Sequence, residues 1–289
     1  MICLETTEPR TKLRSRAALA RERAAVARAM LADCHFCAHH CGVNRLAGPS
    51  GLCHAGANTR FFSAQIEVSD ELELIPTFAV ALSGCDLRCD FCNRGLESWN
   101  PAAGAGFVAA AMAAQAVRAL NRGARTVMVF GGEPTIHLHA ALELVAALPE
   151  TAKLVWKTNA HGSAQARELL DGMFDVWLAD FKFGNDACAR RLAKVSDYVS
   201  IVRKNLVGAR EHGELIVRHL LMAGHVDCCW RPIAEWLATE LPGIKVNLRS
   251  GFWPAWHATR HSELRETVSA SANRRALEIA QSCGLNLIP

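Results

Sequence analysis

From Thr77 onward the sequence repeats one pattern: a short apolar run, a helical stretch, then another apolar run. A parallel sheet with helical crossovers is the arrangement that turns such an alternation into a buried core. The apolar runs are 78–83, 126–130, 153–158, 175–180, 214–220, 244–248 and a short terminal 285–288. Several are continuous rather than alternating, as in strands covered on both faces. Between them, Gln115, Arg118 and Arg122 mark the polar face of an Ala-rich helix that Gly123 stops. Leu138, Leu142 and Val145 mark the apolar face of the next helix, and Val199, Val202 and Leu206 that of a later one. Six strand–helix units predict an α/β fold, an open or closed parallel barrel with its chemistry at the carboxyl ends of the strands.

Before Thr77 the texture differs. Residues 10–33 are rich in Ala, Arg and Glu and lack Gly and Pro, with Leu19, Val26 and Met30 at helical intervals, which predicts an opening helix. An Arg-rich start can mimic an organelle transit peptide, but Glu5, Glu8 and Glu22 weigh against one. From Asp33 to about Pro76 come Cys, His, Gly and short apolar runs, a small metal-organised segment. The expected division is 1–76 for the helix and Cys-rich segment and 77–289 for the barrel. There is no repeat and no low-complexity linker, so the first part is expected to pack against the second.

Cysteine is the compositional exception. The chain has 12, yet its N-terminus lacks the positive, apolar and small-residue order of an export signal, so metal ligands are a better reading than a disulfide framework. No stretch reaches about 18 uninterrupted apolar residues, which disfavours a membrane span. The cytoplasm is the expected compartment. A formal charge of +4, spread along the chain, gives no nucleic-acid footprint. Seven cysteines fall in two groups, Cys34, Cys37, Cys41 and Cys53, then Cys85, Cys89 and Cys92. Of the others, Cys3 stands alone near the start, and Cys188 and Cys283 read as buried hydrophobes. The pair Cys228 and Cys229 reads as core or loop, since adjacent cysteines rarely converge on one ion.

Cys85, Cys89 and Cys92 follow the first barrel strand with the spacing C-x3-C-x2-C. Three thiolates crowded on one loop suit an iron–sulfur cluster, and a cube of four irons leaves one iron without a protein ligand, where a small molecule can bind. Leu87 and Phe91 are placed to shield it from water. Zinc is the plainer alternative and needs a fourth ligand.

With the motif at this place, the sequence resembles the radical S-adenosylmethionine superfamily, whose fold is a partial (β/α)6 barrel. Val129-Phe130-Gly131-Gly132-Glu133-Pro134 is similar to the superfamily's GGE segment. The resemblance implies a 4Fe-4S cluster on Cys85, Cys89 and Cys92, and S-adenosylmethionine chelated to its open iron. An electron from the reduced cluster then yields methionine and a 5'-deoxyadenosyl radical, and the reductant would be a flavodoxin or ferredoxin. A glycine pair after a strand also serves a tight turn, but here missing side chains at Gly131 and Gly132 would let backbone carbonyls approach the methionine ammonium, with Glu133 adding a charge-assisted bond. More narrowly, the chain resembles proteins related to the pyruvate formate-lyase activating enzyme. Trp156-Lys157-Thr158-Asn159, Leu178-Ala179-Asp180-Phe181-Lys182 and the segment 217–224 look like its strand ends. That likeness implies that Lys182 and Arg218 contact the cofactor carboxylate and that Asn159 and Asp180 orient the methionine or ribose end. Asp180 and Lys182 can equally pair on the rim, and Arg218 can anchor a loop. The strand at 245–254 lacks the His-containing end expected of the activating enzyme.

Cys34, Cys37, Cys41 and Cys53 offer four thiolates, enough to close the shell of one zinc ion or one second 4Fe-4S cluster. The segment, threaded with Gly42-Val43-Asn44-Arg45, is similar to that of uncharacterised activating-enzyme-like radical proteins. His35, His39, His40 and His54 are alternative ligands, or second-layer and solvent-facing side chains.

Two functions follow. One is an enzyme that abstracts hydrogen from a protein glycine, a peptide or a small molecule placed over the barrel mouth, walled by the aromatic-rich 251–257. The other is a non-enzymatic iron–sulfur or zinc scaffold for electron transfer or assembly, which needs neither an open iron nor a nucleotide site.

Overall fold

The computed structural model describes residues 14–69 and 71–289. Cys3, Glu5, Glu8 and residues 10–13 of the expected opening helix lie outside the described residues. Among the described residues, nine strands form one sheet in the order β3-β1-β2-β4-β5-β6-β7-β8-β9. Six of them, β2 (Thr77–Leu82), β4 (Thr126–Gly131), β5 (Leu154–Thr158), β6 (Val176–Asp180), β7 (Glu214–Leu220) and β8 (Lys245–Arg249), run parallel in sequence order. The short β9 (Asn286–Leu287) continues the parallel set, while β1 (Arg60–Glu67) and β3 (Ala105–Gly106) add an antiparallel margin. The sheet is open, a partial barrel.

Helices bridge each parallel pair: α3 (Ala109–Asn121), α4 (Leu138–Ala147), α5 (Ala164–Leu170), α6 (Asp186–Ala193) with α7 (Tyr198–Glu211), α8 (Arg231–Glu240) and α9 (Ala270–Ser282). The short α2 (Gly95–Trp99) follows the three-cysteine loop. Leu138, Leu142 and Val145 are buried as the sequence predicts, and Arg118 and Arg122 are exposed.

The period-two alternation of the strands separates two cores. Phe78, Val80, Val127, Val129, Trp156, Ala179 and Val217 face the helices. Ala79, Ala81, Met128, Phe130, Val155, Val176, Leu178 and Ile216 form a second cluster on the other face, the barrel interior, with Leu74 against it. The same parity carries Lys157, Asp180, Arg218 and Leu220 onto that interior face, one step nearer the carboxyl ends. An apolar floor thus lies beneath a ring of charge.

The opening helix, α1 (Arg16–Ala29), starts at Ser15, whose hydroxyl accepts the Ala18 N–H, and packs against α4. Its buried face is Ala20, Ala24 and Ala27, continued by Leu31, while Val26 is 47 % exposed. The helix stands where the spacing of Leu19, Val26 and Met30 predicts it; Leu19 and Met30 pack partly buried against the same core, and the alanines let the helix approach more closely than larger apolar residues would. The Arg16 guanidinium donates to the carbonyls of Pro149, Glu150 and Ala152, which fastens the helix to the turn before β5. No helix among the described residues is long and apolar enough to cross a membrane.

Candidate active site

A cavity of about 370 Å³ opens at the carboxyl ends of the parallel strands. Each crossover contributes to its wall: Cys85, Leu87, Cys89, Phe91 and Cys92 after β2; Gly131, Gly132 and Glu133 after β4; Lys157, Thr158 and Asn159 of β5; Asp180 and Lys182 of β6; Arg218 and Leu220 of β7. Arg249, Gly251, Phe252 and Trp253 close it from β8. The sequence-predicted radical-site residues therefore share one cavity.

The three-cysteine loop is held by its backbone. Arg88 N donates to Ala193 O at 3.0 Å and Asp90 N to Leu192 O at 2.8 Å, docking the loop on the end of α6. Asp90 receives His261 Nε2 at 2.7 Å and Lys194 Nζ at 2.9 Å. Burial opposes its ionisation, but these two donors hold its carboxyl below the usual range. Cys85 and Cys89 are buried, as are Leu87 and Phe91 beside them. Burial pushes the Cys89 thiol up to about 12 against the pull of the Lys182 ammonium, and raises Cys85 too, with Asp86 adding to the effect. Buried thiolates need a cation close by, and three soft donors on one wall fit an iron–sulfur cluster. Among the described residues, the cavity lining holds no other cysteine and no histidine.

Gly131 and Gly132 have a packing reason beyond the cofactor approach expected from sequence. A Cβ on Gly131, whose φ is +140°, would stand 2.1 Å from Leu82 O, and one on Gly132 would stand 2.0 Å from Gly84 O. Gly132 N donates to Leu82 O and Glu133 N to Gly84 O, both at 2.9 Å, so the strand end of β4 is laced directly to the three-cysteine loop.

Glu133 is fully enclosed, and its carboxylate accepts from Thr135 N at 3.0 Å, Thr158 Oγ1 at 2.8 Å, Asn159 N at 2.7 Å and the Thr135 hydroxyl. It ties β4 to β5. Burial and the nearby Asp86 carboxylate push it up to about 7. Asn159 turns its amide to Asp86 Oδ1 at 2.7 Å and lies 3.8 Å from Cys85 Sγ. Asp86 also receives His161 Nδ1 at 2.8 Å, while His39 Nε2 sits 3.0 Å from the Asp86 carbonyl. Burial raises Asp86, but the His161 contact and the Asn159 bond outweigh it and keep the carboxylate ionised.

Asp180 and Arg218 are paired in register across β6 and β7, with Arg218 Nε 3.6 Å from Asp180 Oδ1 and 3.2 Å from Glu71 Oε1. Lys182 Nζ reaches Asp180 Oδ2. Burial works against ionisation of Asp180, yet Lys182 and Arg218 keep its carboxyl below the ordinary value; Asp180 and Cys89 raise the Lys182 ammonium in turn. The wall thus presents two cations beside buried sulfur, a surface suited to a carboxylate.

In the N-terminal segment, Cys34, Cys37 and Cys53 are buried and Cys41 is exposed. Gly51, at φ +72°, lies against Cys41 Sγ. Arg45 is buried and donates to Ala55 O at 2.9 Å, Ile136 O at 2.8 Å and Gly56 O at 2.9 Å, with Cys34 Sγ at 3.5 Å. Ala38 N to His161 O and Ser163 N to Phe36 O, both 2.9 Å, dock the segment on the turn after β5. His40 and His54 are exposed, whereas His39 reaches Asp86 and so links the two cysteine groups.

Sequence reasoning left several of these residues without a role. Glu71 lies outside any motif, and the Asp86–His161 pair joins positions far apart in the chain. Lys157 and Arg249 were within reach, because strand-end position and alternation together place them inside the barrel.

The fold and this site define an α/β protein with a cofactor cavity at its strand ends. Residues 80–237 match the radical SAM superfamily, and the chain belongs to it. It is 29% identical over 278 residues to uncharacterized protein MJ0674 of Methanocaldococcus jannaschii, covering 91% of this chain and 78% of that one. Among solved structures it is similar to SuiB of Streptococcus suis bound to precursor peptide SuiA, with a TM-score of 0.53 and 17% identity over 70% of this chain and 46% of that one. SuiB bound to S-adenosylmethionine gives a TM-score of 0.51 and 16% identity over 73% of this chain and 45% of that one. The chain thus spans less than half the length of SuiB, and the likeness is one of fold.

Proposed function

We propose that the chain is a radical S-adenosylmethionine oxidoreductase. Cys85, Cys89 and Cys92 hold a 4Fe-4S cluster, leaving one iron for S-adenosylmethionine. Lys182 and Arg218 bind the cofactor's carboxylate, and Asp180 keeps both cations oriented. Gly131 and Gly132 present backbone to its ammonium end. Glu133 and Asn159 position that backbone and the cluster loop, while Leu87 and Phe91 exclude water. When bound there, the cluster and nucleotide would supply radical chemistry for removing a hydrogen atom from the substrate.

The observation that carries this reading is the convergence of three sulfurs on a cavity whose lining offers no fourth soft donor. A cluster and a nucleotide would occupy most of that space, so the substrate approaches over the mouth, past Trp99, Phe252 and the exposed Trp253. A peptide or protein segment, including a backbone glycine as in the activating enzymes, suits an approach from outside better than a buried small molecule. The division into 1–76 and 77–289 then separates an auxiliary metal segment from the catalytic barrel. Cys34, Cys37, Cys41 and Cys53 carry a second 4Fe-4S cluster in preference to zinc, because the radical site already requires anaerobic cluster assembly. A cytoplasmic flavodoxin or ferredoxin is the electron donor.

The test is release of 5'-deoxyadenosine by the anaerobically reconstituted, dithionite-reduced chain supplied with S-adenosylmethionine. Wild type releases it, and Cys89→Ala abolishes release. Equal release by that variant removes the assignment, and no release by wild type favours a scaffold.

A further inference from the structure

Beyond the radical site, the crossovers after β6 and β7 meet at a second set of donors. Cys188 of α6 and His225, Cys228 and Cys229, at the turn after β7, place one sulfur or ring nitrogen each within 4.8 Å of the others. Cys188 Sγ lies 3.6 Å from His225 Nδ1 and 3.9 Å from Cys228 Sγ. Cys228 Sγ lies 3.4 Å from His225 Nδ1 and 3.9 Å from Cys229 Sγ, and Cys229 Sγ is 3.5 Å from the same nitrogen.

These spacings are the edges of a small tetrahedron. With Zn–S of about 2.3 Å and Zn–N of about 2.0–2.1 Å, tetrahedral geometry requires about 3.8 Å between sulfurs and about 3.6 Å between sulfur and nitrogen. A 4Fe-4S cube, whose ligands sit on separate irons, needs wider spacing.

The expectation that adjacent cysteines do not converge fails here for a local reason. Cys228 and Cys229 stand three and four residues beyond His225, positions that share one face of a helical turn. Cys229 N and Trp230 N both donate to His225 O at 3.1 Å, which anchors the π-helical turn Val226–Trp230 on the histidine's own backbone.

The surroundings fit a bound cation. Asn185 Nδ2 donates toward Cys188 Sγ at 3.3 Å and lies 3.8 Å from Cys229 Sγ, as a donor to a thiolate would. His225 Nε2 is buried without a hydrogen bond and faces Glu263 Oε1 at 3.7 Å, the carboxylate–histidine arrangement that fixes the ring of a metal ligand. Three of the four donors are buried, and Cys228 is exposed and offers an entry path.

We propose that Cys188, His225, Cys228 and Cys229 bind one zinc ion in a closed structural site. On binding, the three thiols release their protons to solvent, Nδ1 of a neutral His225 ligates, and Nε2–H points to Glu263. The ion staples the crossover that carries Lys182 to the one that follows Arg218. The site is independent of the radical reading.

The test is zinc and iron content of the anaerobically purified full chain by elemental mass spectrometry. Cys188→Ser/Cys228→Ser loses one zinc per chain relative to wild type with its iron unchanged, and Cys34→Ala/Cys37→Ala/Cys41→Ala retains that zinc. Replacing the zinc of wild type with Co²⁺ gives the intense visible bands of a tetrahedral thiolate site, absent from the single variant Cys228→Ser, whose altered side chain is at the surface. Equal zinc in wild type and the double variant, loss of iron in place of zinc, or a Cys188–Cys228 disulfide in the anaerobic protein would overturn the proposal.

Discussion

Replacing Arg45 by Met removes the cation that joins the N-terminal cysteine segment to the barrel. Its guanidinium supplies the buried carbonyls of Ala55 and Ile136 and the part-buried carbonyl of Gly56 at 2.8–2.9 Å and touches Cys34 Sγ. Each buried acceptor left dry costs about 1–3 kcal/mol. The two fully buried ones give roughly 2–6 kcal/mol and Gly56 O adds less because it is only part-buried; relief of burying the charge offsets part, leaving about 4 kcal/mol. At roughly 2 °C per kcal/mol for a chain of this size, the melting temperature should fall by about 8 °C. Arg45→Lys keeps the charge but lacks the planar fork, and should lose about half as much. Differential scanning fluorimetry under anaerobic conditions reads the shift. Limited chymotrypsin digestion should cut the Met variant between residues 34 and 57, at Phe36, Leu46 or Leu52, while the barrel stays intact. A melting temperature within about 2 °C of wild type would refute the reasoning, since two unpartnered buried carbonyls and a part-buried one cannot be that cheap.

Gly132→Ala, with its new methyl 2.0 Å from Gly84 O, must push β4 away from the three-cysteine loop; 5'-deoxyadenosine release should drop at least about tenfold. Gly162→Ala, whose nearest neighbour would be Thr135 Cγ2 at 3.4 Å, is the matched control and should retain activity; equal activity of both variants would contradict the packing argument. His219 is buried, donates through Nδ1 to Phe181 O at 2.7 Å and has its pKa lowered by burial to about 4. Its neutral form is the folded one, so stability is full above pH 6.5 and falls as pH drops from 6.5 toward 4, by about 3 kcal/mol at 1.36 kcal/mol per pH unit. Chemical denaturation at pH 7 and pH 4 should show wild type losing that much more than His219→Gln; equal losses would mean His219 is protonated in the fold.

The strands after Thr77 were legible because parallel strands buried on both faces appear as uninterrupted apolar runs, and each observed strand lies within a residue or two of its run. β1 and β3 were not, because Arg60–Glu67 is half-exposed and lies in a segment whose cysteines and glycines dominate its texture. The three-cysteine loop and GGE turn carried their chemistry in local spacing. The roles of Glu71, Asp86 and His161 did not, since each depends on a partner supplied by another crossover. Likewise, Cys228 and Cys229 looked like loop residues until Cys188 and His225 were placed beside them. The opening helix was legible from its spacing, but the alanine face of α1 was not, because a hydropathy pattern rewards size while this contact selects for its absence.

That contact has a mechanical consequence. Ala20, Ala24 and Ala27 set the distance between two helix axes much as a shim sets a gap, and Leu31 and Cys34 follow within a few residues of the helix end. The first sulfur of the N-terminal group is therefore placed from two sides, by the helix end on the outer shell of the barrel and by the backbone bonds of Cys34 to Gly42 and Val43 in its own loop. Widening the gap by one side chain's thickness would carry the sulfur outward with it, so the placement of Cys34 is written in part into a helix that lies ahead of the cysteine segment.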